Sequence, residues 1–148
     1  MSRVQEATIL LAEDDPGHAR LIEKNLRRSN VANSIIIKAS DGQQAIDYLF
    51  STGQYADSKR ASPLLVLLDL NMPVLDGYQV LKRMKADERT RRIPVIILTT
   101  TDDTREVSRC YELGCNVYVT KPVDYEQFSE TIRKLGLFLS IVTVPDGE

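Results

Sequence analysis

Short apolar runs alternate along the chain with longer segments in which apolar residues recur every three or four positions. The runs at 64–68 and 94–98 are apolar without interruption, which is typical of central strands in a parallel sheet covered on both faces. Similar runs occupy 8–12 and 34–38, and a weaker one occupies 116–120. The pattern therefore predicts five strands.

A helical segment follows each predicted strand. In the first, an apolar stripe begins after Pro16, which is accepted in a first helical turn. The residues expected to begin or cap the other four helices are Asp41, Asp76, Asp103 and Asp124. Gly114 is expected to end the fourth helix. This order predicts an α/β fold, namely a doubly wound five-stranded parallel sheet with right-handed crossovers.

Length and composition indicate one globular domain over 1–148. The chain has 148 residues, of which 43% are hydrophobic and 27% charged, which argues against global disorder. We expect the core to span about 8–137, followed by an apolar tail, 138–148, that packs against the same chain or a second copy. The polar connection at 51–62 is interpreted as a solvated surface loop, with contact to a partner as the alternative.

The charge balance and the rare residue types exclude several classes of protein. Lys and Arg number 19 against 21 Asp and Glu, a net charge of −2 that argues against nucleic-acid binding. No apolar run is long enough to span a membrane and no signal peptide is evident, so we expect a cytoplasmic protein. Cys110 and Cys115 are interpreted as reduced thiols in or near the core, and the single histidine, His18, as a solvated residue in a first helical turn.

Acidic, hydroxyl and basic side chains follow the predicted strands. Glu13 and Asp14 follow the first strand, Asp69 the third, Thr99 ends the fourth, and Lys121 follows the fifth. Ligands of open parallel sheets bind at the carboxyl ends of the strands. We therefore expect these five residues to converge on one small site.

The chemistry of such a site favours a divalent cation. Carboxylates that lie within about 5 Å of one another repel strongly unless a cation or a proton compensates. Lys121 supplies one positive charge, and oxygen ligands with room for water are suited to Mg2+. The run Glu13-Asp14-Asp15 also argues against a flavin or dinucleotide site, because these acids would repel a phosphate group.

Asp69 is the candidate for covalent chemistry. It follows a buried strand beside the predicted metal ligands, which makes it a candidate nucleophile toward phosphorus that would form an aspartyl phosphate. The Thr99 hydroxyl and the Lys121 ammonium group are suited to binding the phosphoryl oxygens.

In its signature segments the chain resembles the receiver domain of two-component response regulators. The matching segments are, in chain order, Ile9-Leu10-Leu11-Ala12-Glu13-Asp14-Asp15, Leu67-Leu68-Asp69-Leu70-Asn71-Met72-Pro73, Asp76-Gly77, Leu98-Thr99-Thr100 and Thr120-Lys121-Pro122. The resemblance covers roughly 8–137. It implies the flavodoxin-like receiver fold, with strand order 2-1-3-4-5.

The resemblance assigns a role to each site residue. Asp69 is implied as the phosphoryl acceptor, with Thr99 and Lys121 binding the phosphoryl oxygens. Mg2+ is implied to be bound by Asp14 directly, by Glu13 directly or through water, by Asp69, and by the backbone carbonyl of Asn71. Thr99 and Tyr118 are implied as the switch residues, and the Lys121–Pro122 bond is often cis in the family.

The resemblance also implies a function. The chain is expected to be a single-domain response regulator of a phosphorelay that accepts a phosphoryl group from a partner histidine kinase and switches its partner-binding surface. It would catalyse only its own phosphorylation and dephosphorylation. Loop 51–62, Tyr111, Asn116 and the apolar tail further resemble the small receivers that serve cyanobacterial phytochromes and bacteriophytochromes. Members of that group can dimerise, which implies a homodimer through the C-terminal region.

Two alternatives remain open at this point. One is a receiver-like scaffold that works without phosphorylation, although the complete set of site residues argues against lost chemistry. The other is a Mg2+-dependent phosphatase of the haloacid-dehalogenase type that also uses a strand-end aspartate. Such enzymes carry a second aspartate two positions after the nucleophile, whereas this chain has Asn71 there.

Overall fold

The computed structural model describes residues 2–3, 8–28, 35–139 and 143–144. Five strands form the main sheet: β1 (Thr8–Ala12), β2 (Ile35–Ala39), β3 (Leu64–Leu68), β4 (Val95–Thr99) and β5 (Val117–Thr120). The helices are α1 (Pro16–Arg27), α2 (Gly42–Phe50), α3 (Gly77–Ala86), α4 (Thr104–Leu113) and α5 (Tyr125–Leu139). Strand and helix alternate as predicted.

The strands of the main sheet pair in the order β2-β1-β3-β4-β5, and every pair is parallel. This confirms the predicted doubly wound sheet and its strand order 2-1-3-4-5. Leu10 of β1 lies in register with Ile37 of β2 and with Val66 of β3. The carboxyl ends of β1 and β3 therefore lie at the same edge of the sheet.

Each face of the sheet is covered by its own layer of helices. On one face, Leu10, Val66 and Ile97 belong to the same buried cluster as Ile46 of α2 and Leu81 of α3. The other face carries the strand residues that alternate with these, and they belong to a second buried cluster with α1 and α5. Its members include Ile9, Leu65, Ile96, Ile22 and Ile132. The central strands are covered on both faces, which explains their uninterrupted apolar runs.

The edge strands β2 and β5 are less buried than the central strands, and β2, β4 and β5 each begin one residue later than predicted. β2 spans 35–39 rather than 34–38, and Ser34 lies outside the described residues. Ile35 is 63% exposed although its sequence run resembles that of a buried strand. In β5 the side chains of Val117, Tyr118 and Val119 are only partly buried. Among the described residues, each of these strands pairs on one side only, so it has one neighbouring strand fewer to cover its side chains.

The predicted helix signals are present as hydrogen bonds. Asp41, Asp76 and Asp103 cap α2, α3 and α4 by accepting from backbone N–H groups of the first turn. Asp124 accepts from the N–H of Gln127 just before α5. Gly114 ends α4 with φ of 111°, a left-handed conformation that favours glycine.

The connection at 51–62 contains a short 3-10 helix, Gly53–Tyr55, and is mostly exposed. It is held to α2 by a hydrogen bond of 2.9 Å from the N–H of Ala61 to the hydroxyl of Tyr48. The interpretation as a surface loop is consistent with this exposure. Among the described residues the cis peptide bond is Ser62–Pro63, and Lys121–Pro122 is not cis.

The two ends of the chain meet. Ser2–Arg3 and Thr143–Val144 form a two-stranded antiparallel pair. Leu139 is buried at the end of α5, whereas Phe138 is 45% exposed. The prediction for the rest of the tail falls on 140–142 and 145–148, which lie outside the described residues. In the described part of the chain no helix is both long and apolar enough to cross a membrane.

Candidate functional site

The sheet register brings the predicted site residues to one place. Ala12 of β1 is the partner of Leu68 of β3, and the next residues, Glu13 and Asp69, leave the two strands side by side. The N–H of Asp69 donates to the carbonyl of Ala12 at 3.0 Å, which extends the pairing of the two strands by one residue. Neighbouring residues of a strand point to opposite faces. Because Glu13 and Asp69 occupy matching positions on β1 and β3, their side chains lie on the same side and can meet.

Three carboxylates form a cluster at this edge. One oxygen each from Glu13, Asp14 and Asp69 lies within 4.8 Å of the others. Glu13 and Asp69 are buried, at 4% and 7% exposure, while Asp14 is exposed. An all-oxygen donor set that is open to solvent on one side suits Mg2+, which keeps part of its water shell. The residues present therefore fit the predicted ion.

Lys121 provides the cation within this cluster. Its ammonium group donates to Asp69 Oδ2 at 3.1 Å and also to Glu13 Oε1. Lys121 is only 3% exposed, so both ion pairs are shielded from water. The backbone N–H of Lys121 donates to the carbonyl of Thr99, so the residue is anchored to β4 at the same edge.

The ionisation of Glu13 reflects this burial. Desolvation raises the pKa of the Glu13 carboxyl to about 7, against the opposing hydrogen bond and charge of Lys121. The negative charge of Asp69 acts in the same direction as desolvation and contributes to this raised pKa. Two buried carboxylates that share one ammonium group are thus short of positive charge, and this deficit is the physical reason to expect a cation here.

Thr99 and Asn71 form the opposite side of the site. Thr99 is fully buried at the end of β4, and its hydroxyl oxygen lies 3.4 Å from Nδ2 of Asn71. The same amide nitrogen lies 3.5 Å from the hydroxyl of Thr101. The N–H of Asn71 donates to Asp69 Oδ1 at 3.2 Å. Asn71 therefore contacts both the aspartate and the hydroxyl that sequence patterns place in the site.

Tyr118 lies on the neighbouring edge strand. Its hydroxyl donates to the backbone carbonyl of Thr101, in the segment that follows Thr99. Its own N–H donates to the hydroxyl of Tyr111 on α4 at 3.1 Å. Burial raises the pKa of the Tyr118 hydroxyl to about 12, so the group stays protonated and remains a donor. The ring is therefore tied to the loop that connects the site to α4.

His18 belongs to this site although its sequence context suggested a solvated residue. It does lie in the first turn of α1, and its side chain is 37% exposed. Its Nδ1 lies 3.2 Å from Nζ of Lys121, and its ring packs edge-on against Phe128 of α5. No local pattern could reveal this contact, because Lys121 lies 103 residues further along the chain.

Comparison with known proteins identifies the family. A family model described as the response regulator receiver domain matches residues 9–133, most of the chain. The chain is a response regulator receiver domain.

Relatives of this receiver domain include small response regulators. The response regulator Rcp1 of Synechocystis sp. is 38% identical over 138 residues, which cover 93% of this chain and 92% of Rcp1. A receiver domain from Rhodospirillum rubrum is 53% identical in its solved structure, with a TM-score of 0.85 and coverage of 96% of this chain and 99% of that one. The receiver is thus similar to proteins that extend little beyond the receiver fold itself.

One further solved structure connects this receiver domain to phytochrome response regulators, and another shows a relative with a divalent cation. The phosphorylated cyanobacterial phytochrome response regulator RcpA is 35% identical, with a TM-score of 0.85. The match covers 95% of this chain and 99% of the RcpA chain. The Mn2+-bound form of Rcp1 is 35% identical, with a TM-score of 0.86 and coverage of 94% of this chain and 99% of the Rcp1 chain. This receiver is homologous to phytochrome-associated response regulators, and neither alternative, scaffold nor phosphatase, is favoured.

Proposed function

We propose that Asp69 of this response regulator accepts a phosphoryl group from a phosphohistidine of a partner histidine kinase, with Mg2+ bound beside it. The observation that carries the proposal is the setting of Asp69. Its carboxylate is buried, lies in contact with the Lys121 ammonium group at 3.1 Å, and shares the cluster with Glu13 and Asp14. A single carboxylate held in this way is both oriented and partly charge-neutralised.

The transfer forms one bond and breaks one bond. A carboxylate oxygen of Asp69 attacks phosphorus, the phosphorus–nitrogen bond of the phosphohistidine breaks, and the electron pair leaves on the imidazole nitrogen. The Lys121 ammonium group and the Thr99 hydroxyl bind phosphoryl oxygens, which stabilises the charge on the transferring group. The protein would act on its own aspartate only, in phosphorylation and in dephosphorylation, and would turn over no separate substrate.

The metal ligands we propose are the carboxylates of Glu13, Asp14 and Asp69 and the backbone carbonyl of Asn71. When bound, Mg2+ supplies positive charge that neutralises phosphoryl oxygens and the surrounding carboxylates. The Mn2+-bound form of Rcp1 supports a divalent cation in the family. In this chain the supporting observation is the oxygen cluster itself, within 4.8 Å.

Phosphorylation would then be transmitted through Thr99 and Tyr118. The new phosphoryl group adds roughly −1.5 to −2 charges next to the Thr99 hydroxyl. Movement of Thr99 toward these oxygens would vacate space for the Tyr118 ring, whose hydroxyl is bound to the loop at Thr101. The surface formed by α4 and β5 would change its affinity for partners as a result, which requires a bias of only a few kcal/mol.

The relatives support the proposed kinase partner. RcpA is a cyanobacterial phytochrome response regulator, so a phytochrome-type kinase is the partner we propose here. We further propose a cytoplasmic single receiver domain over 1–148 that forms a homodimer through its C-terminal region and binds neither nucleic acid nor membrane. Sedimentation of the phosphorylated and unphosphorylated protein tests the dimer.

The chemistry is tested by intact mass. The protein is incubated with Mg2+ and a small acyl-phosphate donor, beside Asp69→Asn and a matched control, Asp102→Asn, which alters an exposed aspartate. We expect one added phosphoryl group in the wild type and in the control, and none in Asp69→Asn or when Mg2+ is removed. Labelling that persists in Asp69→Asn, with no other acceptor engaged in the wild type, would contradict the assignment.

A further inference from the structure

His18 lies where two helices approach the site. Asp15 caps α1 by accepting from the N–H groups of Gly17 and His18 at 2.8 and 3.1 Å, which places His18 in the first turn. The imidazole ring then packs edge-on against Phe128 of α5, with 5.0 Å between ring centroids and 75° between planes. The cap and the ring contact together orient the imidazole, so that its Nδ1 faces Lys121.

The hydrogen-bond requirements of Lys121 identify what His18 does. An ammonium group has three N–H donors and no acceptor. Around Lys121 there are three acceptors: Asp69 Oδ2 at 3.1 Å, Glu13 Oε1, and His18 Nδ1 at 3.2 Å. Because Lys121 can only donate, Nδ1 of His18 must be the nitrogen with the lone pair. The hydrogen of the neutral ring is then on Nε2, which faces Asp15 Oδ2 at 3.9 Å.

Of these three acceptors, His18 is the one that we have not assigned to the metal. Glu13 and Asp69 are both proposed ligands of Mg2+, and a carboxylate oxygen of Asp69 also forms the new bond to phosphorus. Metal binding and bond formation to phosphorus would compete for the same carboxylate oxygens, and would therefore weaken their hydrogen bonds to Lys121. The imidazole of His18 is not among the proposed metal ligands and forms no bond to phosphorus, so it can keep its hydrogen bond to Lys121 throughout.

We propose that His18 is a positioning residue for phosphoryl acceptance, which holds the Lys121 ammonium group through Nδ1 while the carboxylates bind metal and phosphorus. The inference rests on the proposed role of Lys121 in binding the phosphoryl group. His18 itself contacts neither the phosphoryl group nor the metal. It acts by keeping one N–H of Lys121 engaged, so that another is directed at the incoming oxygen.

Three substitutions separate this role from a packing role. His18→Leu keeps an apolar side chain against Phe128 but removes the acceptor, and we expect the rate constant of phosphoryl acceptance to fall about tenfold, the ratio that corresponds to one hydrogen bond to a charged group. In His18→Asn the amide oxygen stands close to the position of Nδ1, so most of the rate should return. His18→Gln carries its acceptor nearer the position of Nε2 and should remain slow.

The rate is measured by intact mass over a range of acyl-phosphate and Mg2+ concentrations, with thermal unfolding recorded for each variant. We expect the Mg2+ dependence to change little, since His18 is not a ligand. Equal rates for wild type and His18→Leu would overturn the proposal. Equally slow His18→Leu and His18→Asn would overturn it as well, because an acceptor restored near the position of Nδ1 would then have no effect on the rate.

A second readout needs no phosphoryl group. The Lys121 ammonium protons, assigned by their loss in Lys121→Met, are followed in proton–nitrogen correlation spectra of the metal-free protein. We expect a protected signal in wild type and His18→Asn that broadens or disappears in His18→Leu, and an unchanged signal in His18→Leu would overturn the proposal. If the wild type accepts no phosphoryl group, or Asp69→Asn does, the proposed function fails, while this signal still decides whether His18 holds Lys121.

Discussion

Lys121 controls the charge balance of the site because its ammonium group lies between two buried carboxylates. It contacts Asp69 Oδ2 at 3.1 Å and Glu13 Oε1, and all three side chains are almost fully shielded from water. A buried ion pair of this kind is costly to break, since the remaining charge loses its partner without regaining solvent. Lys121 is therefore expected to affect the stability of the fold as well as the proposed chemistry.

Replacing this lysine should reveal the electrostatic deficit directly. We expect Lys121→Met to lower the free energy of unfolding of the metal-free protein by about 3 kcal/mol at neutral pH, because Glu13 and Asp69 are left facing each other. Mg2+ should recover part of the loss by supplying positive charge. Urea unfolding with and without Mg2+ measures both effects. Lys134→Met is the control, since Lys134 is exposed on α5, and equal unfolding midpoints for both variants would contradict the prediction.

The two cysteines illustrate a burial effect away from the site. Both thiols are free and buried, and burial raises the pKa of Cys110 to about 11 and also raises that of Cys115. A pKa raised by folding means that the neutral thiol stabilises the native state. For Cys110 this contribution is complete below its ordinary pKa of 9.0 and is lost as the pH rises through about 11.

We accordingly expect both thiols to resist alkylation in the native protein at pH 8 and to react rapidly after unfolding. The thiolate is the reactive species, and the fold both disfavours it and blocks access to it. Intact mass after treatment with iodoacetamide, with and without denaturant, provides the measurement. Rapid modification of the folded protein would show that α4 opens far more readily than its packing suggests.

At the scale of elements, the connection from β3 to α3 determines where Asp69 lies. Asp76 and Gln79 form a capping box at the start of α3, and the N–H of Gly77 donates to the carbonyl of Leu70 at 2.9 Å. A Cβ on Gly77 would lie 2.3 Å from the carbonyl oxygen of Asp69 and 2.7 Å from Cα of Leu70. The first turn of the helix is thus packed directly against the backbone of the proposed acceptor.

This contact makes Gly77→Ala a test of the connection. We expect a loss of about 2 kcal/mol in the free energy of unfolding, as in other overpacked sites, because the backbone cannot move aside without cost. Phosphoryl acceptance should slow as well, since the displaced backbone carries Asp69. Gly17→Ala is the matched control, because its Cβ would meet only the Asp15 side chain, at 3.2 Å. Equal unfolding temperatures for the two variants would contradict the prediction that a Cβ at Gly77 destabilises the fold.

At the scale of the whole molecule, the site exists only in the folded state. Glu13 and Asp14 follow β1, Asp69 follows β3, and Lys121 follows β5, so the pairing of the strands is needed to bring them together. A ligand that binds this arrangement and not the unfolded chain must stabilise the fold by mass action. Metal binding and global stability are therefore linked.

Mg2+ should raise the unfolding temperature in a concentration-dependent manner. At a free concentration 100 times the dissociation constant, the expected stabilisation is about 2.7 kcal/mol, and a chelator should abolish it. Asp14→Asn should weaken the effect with little change in the metal-free stability, because Asp14 is exposed, whereas Asp102→Asn should respond like the wild type. Calorimetry with and without Mg2+ measures this, and an unfolding temperature independent of Mg2+ would count against a metal site at these carboxylates.

Much of the fold and part of the site were determined by local sequence. Uninterrupted apolar runs predicted β3 and β4, and Asp41 and Gly114 marked helix ends, because caps and periodicity act within a few residues. The rule that ligands gather at the carboxyl ends of parallel strands then predicted that Glu13, Asp69 and Lys121 would meet. These predictions needed no knowledge of side-chain packing, since strand pairing and direction place the residues.

The tertiary structure alone decided the contacts between distant side chains. The exposure of Ile35 depends on the position of β2 at the sheet edge. The pairing of Ser2–Arg3 with Thr143–Val144 joins the two ends of the chain. The hydrogen bond between His18 and Lys121 requires α1 and α5 to pack side by side on the sheet, with Phe128 setting the angle of the ring. Such contacts depend on the relative placement of whole elements, which no local pattern of residues specifies.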